Sequence, residues 1–175
     1  MPLVYLILAL LPAVFWFYYF WEKDDLQLPT DTIFFALSAG AISCFPVGTY
    51  YAIFENQFSN FDNIHQEAFT IAFFAAALPE EIVKLAAVWF VYQQRKPFVH
   101  SPYDLVIIGA SVAAGFAATE NLLYIVNNME NYGIVATSRS LTAVPGHIFY
   151  GVVMGALLTA FKAPKLSTKY LPLAL

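Results

Sequence analysis

The sequence predicts an all-α polytopic membrane protein, a single bundle of about five transmembrane helices. Composition is the first reason. Of 175 residues, 60% are hydrophobic and 11% charged, with a mean hydropathy of +0.65. A soluble domain carries about 45–50% apolar and about 25% charged residues. The second reason is segmentation: the apolar residues fall into five runs, each near the roughly 20 residues that a membrane-crossing helix needs. The third is charge. A net charge of −4 and a pI near 5.2 leave no basic surface for nucleic acid, so the lipid bilayer is the expected surroundings and no nucleic-acid partner is expected. The single cysteine, Cys44, lies inside an apolar run, can form no internal disulfide and reads as a small packing residue.

The elements follow in order. The first span covers about residues 3–21 and ends in the aromatic string FWFYYFW, an interfacial belt, before Glu22-Lys23-Asp24-Asp25. A signal peptide is the rival reading, but there is no basic leading segment and no small-residue cleavage site before the acidic cluster. The second span covers about 32–54. A polar loop follows with Asn56, Gln57, Ser59, Asn60, Asp62 and His65. The third covers about 67–92 and closes on Gln93-Gln94-Arg95-Lys96-Pro97; the fourth covers about 104–126 and the fifth about 137–161. Lys23, then Arg95 and Lys96, then Lys162, Lys165 and Lys169 follow alternate spans. The positive-inside rule then puts the N-terminus outside and the tail in the cytoplasm, in a multi-pass protein of the plasma membrane.

Charged side chains inside a span are costly, roughly 2.5–3.5 kcal/mol each on insertion scales, and persist where they are paired or functional. Here they occupy three consecutive spans: Glu80, Glu81 and Lys84 in ALPEEIVKLAAVW, Glu120 with Asn121 in GFAATENLLYI, and Arg139 with His147 in SRSLTAVPGHIFYGVVMGAL. Glu80 and Lys84, four residues apart, share a helix face and are expected to pair. Pro79 removes a backbone donor just before them and is expected to kink the span. Gly151-x-x-x-Gly155 allows a neighbouring helix to approach closely and to carry its carboxylates towards His147. At about 1.5 Å per residue, Glu80, His147 and Glu120 lie roughly 20, 15 and 10 Å from the outer ends of their spans and can share one layer.

Three carboxylates and a histidine in an apolar layer suit activation of water. A buried carboxylate can act as general acid or base, and Glu and His are also ligands of catalytic zinc. Either route hydrolyses a bond presented within the bilayer. Asn121 can donate to a developing oxyanion. The bland readings are a structural Glu80–Lys84 pair, a hydrogen-bonded core His147, Arg139 snorkelling to the interface, Asn121 bridging helices, and Phe116 and Tyr124 packing. Such a cluster also serves ion or proton passage in a transporter or channel, or binding alone.

Taken in order, Glu80-Glu81-x-x-Lys84, Gly115-Phe116-x-x-x-Glu120-Asn121-x-x-Tyr124, and Arg139 followed by Pro145-Gly146-His147 and a glycine-spaced helix resemble the PrsW family of intramembrane proteases. That family looks related to the CAAX prenyl endopeptidases and Abi-type membrane proteins. In those, Arg usually follows the paired glutamates and His stands where this chain has Glu120. The motif-bearing part covers about residues 77–158. The resemblance implies a multipass protease that cleaves membrane-anchored protein substrates, such as anti-sigma factors. It implies catalytic roles for Glu80, Glu81, Glu120 and His147, with Lys84, Asn121 and Arg139 in support. If a metal is bound, Glu81, Glu120 and His147 are its implied ligands. A divalent metal such as zinc and a glutamate-based mechanism both stay open. Family members commonly continue into a further helix with a second histidine and an acidic or amide residue four positions on. Tyr170-Leu171-Pro172-Leu173-Ala174-Leu175 reads like the start of one. An inactive or truncated homologue is therefore a further alternative.

Overall fold

The computed structural model describes residues 3–23, 27–58, 61 and 63–162. Asp24, Asp25, Ser59, Asn60 and Asp62 of the predicted loops, and Lys165, Lys169 and the rest of the tail, lie outside the described residues. Helix α1 runs Leu3–Glu22 and α2 runs Thr30–Phe58. Helix α3 (Ile64–Thr70) continues through a π-helical stretch, Ile71–Ala77, into α4 (Leu78–Arg95). After a 3-10 turn at Lys96–Phe98 come α5 (Pro102–Asn127), α6 (Tyr132–Leu141) and α7 (Ala143–Lys162). No strand occurs among the described residues, and the protein is an all-α bundle. Thr30–Phe54, Pro102–Asn127 and Tyr132–Phe161 are each long and apolar enough to cross a membrane. The continuous helix from Ile64 to Arg95 differs in carrying Glu80, Glu81 and Lys84 near its middle.

Helix α5 is the axis. Every residue from Pro102 to Ala117 is buried. Its start is fixed by a capping box: Ser101 Oγ accepts from the Asp104 backbone N–H, while Asp104 Oδ2 accepts from the Ser101 N–H at 2.8 Å. Glycines let two neighbours reach its backbone. A Cβ on Gly109 would lie 2.1 Å from the Gly151 carbonyl oxygen of α7, and one on Gly115 would lie 2.0 Å from that of Leu37 on α2. Thr159 Oγ1 donates to the Pro102 carbonyl at 3.0 Å, so α7 runs antiparallel to α5 along its buried length. Tyr103 donates to the Phe20 carbonyl at 3.1 Å, and Arg95 meets Asp31 at 2.9 Å. The C-terminal ends of α1, α4 and α7 thus gather with the starts of α2 and α5. Glu80, Glu81, Glu120 and His147 fall towards the other end.

Two local departures from regular helix shape that other end. Pro79 lacks the N–H that the Ala75 carbonyl would use in an α-helix. The preceding turn opens to π register, with the Leu78 N–H bonded to the Phe73 carbonyl. In that register the orphan moves to the Phe74 carbonyl, whose partner would be Pro79. Tyr50 Oη donates to it at 3.3 Å. The second departure divides the fifth predicted span. Pro145 offers no N–H to the Leu141 carbonyl and its ring crowds that group, and the helix breaks at Thr142 between α6 and α7.

Candidate active site

Arg139 lies on α6, just before the break at Thr142, and turns inward. Its Nη2 donates to Glu120 Oε2, its Nε donates to Asn121 Oδ1 at 2.8 Å, and its guanidinium lies 3.8 Å from the Tyr124 ring centroid. The snorkelling expectation is corrected on this geometry. Asn121 is only 1% exposed and holds the arginine. Tyr124, read from the sequence as packing, is the surface on which that arginine stacks.

Among the described residues Lys84 is the most buried charge, at 1% exposure. Its Nζ donates to Glu81 Oε1 at 2.5 Å, lies 2.9 Å from His147 Nδ1, and sits 4.8 Å from the Phe116 ring centroid. The expected Glu80–Lys84 pair is therefore corrected to Glu81–Lys84. A spacing of three residues shares the helix face as well as a spacing of four does, and the Glu80 carboxylate instead approaches His147 Nδ1 at 4.0 Å. An ammonium only donates, so Nδ1 of His147 accepts. The proton is then on Nε2, which donates to Glu120 Oε2 at 2.9 Å. The imidazole also leans on Phe116, 5.3 Å between centroids. One continuous chain thus runs Glu81–Lys84–His147–Glu120–Arg139–Asn121. With Glu80 beside the ring, the site holds three carboxylates, two cations and an imidazole.

Glu80, Glu81, Glu120, Arg139 and His147 open on a cleft of about 320 Å³, whose other walls include Ala76, Ala77, Tyr124, Ala143, Gly146 and Tyr150. Ala76, Ala77, Ala143 and Tyr150 escaped the sequence reading, because nothing in a sequence says that an alanine faces a cleft.

The sequence matches the family described as PrsW family intramembrane metalloprotease over residues 28–174. The chain belongs to the PrsW family. It is 31% identical to "Protease PrsW" of Oceanobacillus iheyensis, covering 84% of this chain and 64% of that protein. It is 29% identical to "Protease PrsW" of Bacillus subtilis, covering 94% and 72%, and 32% identical to that of Geobacillus kaustophilus, covering 82% and 60%. The chain thus spans roughly two thirds of the length of these curated relatives. No solved structure matches it.

The PrsW family description includes a metal, which the donor set can be tested against. Glu80, Glu81 and His147 each offer a ligand atom, and those atoms lie within 4.8 Å of one another. Glu81 Oε2 is buried and has no hydrogen-bond partner. Carboxylate and imidazole are both ligand types that zinc takes. The residues fit. The grouping differs from the Glu81, Glu120 and His147 set that the resemblance implied: Glu120 stands on the Nε2 side of the ring, tied to Arg139, and Glu80 stands on the Nδ1 side.

Proposed function

We propose that this chain is an intramembrane peptidase that hydrolyses membrane-anchored protein substrates. The observation that carries the proposal is the gathering of Glu80, Glu81, His147 and Glu120 about one cleft among otherwise apolar helices. Glu80, Glu81 and His147 are the residues that would hold a divalent metal, with zinc the best match to the donors; when bound, it supplies Lewis-acid polarisation and a more acidic water. The chain's own residues do the rest. Where no metal is held, a carboxylate of the Glu80–Glu81 pair takes a proton from the water that attacks the scissile carbonyl carbon. The C–N bond then breaks, and the same carboxylate returns the proton to the leaving amine. Glu120, fixed by Arg139, holds the Nε2 proton of His147 and so keeps its Nδ1 lone pair turned to Lys84 and the Glu80–Glu81 side of the cleft.

The orientation belongs to the same proposal. The end of the bundle that carries Lys23, Arg95 and Lys96 faces the cytoplasm of a plasma-membrane protein, with the N-terminus outside. The test is cleavage of a single-span substrate by the purified protein in proteoliposomes. Chelator should stop the appearance of fragments, and zinc should restore it. Cleavage that continues at full rate after exhaustive chelation would remove the metal from the proposal. An absence of cleavage with zinc present would remove the peptidase activity.

A further inference from the structure

Lys84 stands on α4, but its ammonium reaches α7. A pair with Glu81 alone would need only their shared helix face. The buried Nζ goes further. It donates to Glu81 Oε1 at 2.5 Å and lies 2.9 Å from the Nδ1 of His147. Glu81 and His147 are two of the three residues that can hold a metal. The other ring nitrogen is engaged as well, since Nε2 meets Glu120 at 2.9 Å. A neutral imidazole has one acceptor nitrogen, and an ammonium has only donors. While Lys84 keeps this position, His147 has no lone pair left for a metal.

Zinc takes imidazole nitrogen and carboxylate oxygen at about 2.0–2.2 Å, closer than Nζ stands to either atom. It would approach Nδ1 along the direction that the ammonium uses. Position and charge therefore both set the two cations against each other. We propose that Lys84 regulates metal loading: its ammonium and a divalent metal hold the Glu81–His147 pair by turns, and the metal enters as Lys84 swings out. The way out is the cleft, which Glu81 and His147 both line. The inference rests on the metal-dependent form of the peptidase reading and adds how that site is regulated. When the metal leaves, the ammonium returns and holds the carboxylate and the imidazole together, so loading is reversible.

The experiment uses the full chain, purified in detergent and stripped of metal by chelator. Formaldehyde with a borane reductant methylates accessible lysine amines, and mass spectrometry reads which lysines are modified. Calorimetry measures zinc binding on the same preparations. Lys84 should be spared without zinc and modified with it, the modified fraction rising in step with the zinc bound. The exposed Lys23 and Lys96 should react equally under both conditions. Chelator added to zinc-loaded protein before the reagent should restore protection of Lys84. Lys84→Met should still take up zinc. If zinc saturates the wild type while Lys84 stays spared, the inference fails and the metal reading stands. If folded Lys84→Met no longer binds zinc, Lys84 is a ligand of the metal and not its rival, and the inference fails. If neither protein binds zinc, the metal reading fails and takes the inference with it, while cleavage without metal still tests the peptidase itself.

Discussion

Lys84 shows how much chemistry one buried side chain can set. Its ammonium holds Glu81, caps His147 Nδ1 and lies over Phe116. Lys84→Met keeps the length of the stem and removes the charge. It leaves buried acceptors unsatisfied, so the metal-free protein should lose about 1–3 kcal/mol of stability by thermal or denaturant unfolding. Zinc should bind more tightly, because a cation among Glu80, Glu81 and His147 no longer meets a like charge. Two unit charges about 4 Å apart interact by about 4 kcal/mol at an effective dielectric of 20, so calorimetry should read at least a tenfold gain. Unchanged zinc affinity would separate the metal from this group of residues. Arg139→Lys should cut cleavage by tenfold or more, since a lysine point charge cannot serve Glu120 and Asn121 together while stacking on Tyr124. At this scale the residue types were legible, because charges inside apolar spans stand out. Their pairing was not: Glu80 and Glu81 are both within helical reach of Lys84, and only the approach of α7 decides between them.

Among the elements, the π-helical stretch and the break at Thr142 carry the most information. Both trace to a proline whose missing N–H strands a carbonyl four residues back. The sequence pointed to a kink at Pro79. It could not show that the orphan would be passed to Phe74 and met by Tyr50, 24 residues away. Tyr50→Phe should therefore destabilise the protein by about 1 kcal/mol, the net worth of one hydrogen bond, a shift that thermal unfolding in detergent can read. The glycine faces were legible, because small residues four apart in an apolar helix point to close packing. Their partner was not, and α5 proves to be that partner for both α2 and α7. Gly151→Leu would drive a side chain into the Gly109 backbone, whose carbonyl oxygen would lie 2.5 Å from the new Cβ. A loss of roughly 1–3 kcal/mol is expected from overpacking, with His147 displaced and zinc affinity lowered.

For the whole molecule, composition settled the class. Nothing in 60% apolar content could show that a central helix would be enclosed by five neighbours, α1, α2, α4, α6 and α7, with the charged chain threaded between them. The bundle places Arg95 and Lys23 at one end, and α3, with His65, begins at the other. Single cysteines at positions 65 and 95 should accordingly be labelled from opposite sides of a sealed vesicle. Labelling of both from one side would contradict the orientation.

The central claim is that Glu80, Glu81, Glu120 and His147 form a hydrolytic centre inside the bilayer. Its most direct test is mass spectrometry of a single-span substrate incubated in zinc-containing proteoliposomes with wild type, Glu81→Gln or His147→Ala. The account predicts one new pair of fragments with wild type, cut within the substrate's membrane segment or at its edge. It predicts a fall of at least about a hundredfold in either variant, both of which should remain folded. Fragments produced as fast by Glu81→Gln as by wild type would contradict it.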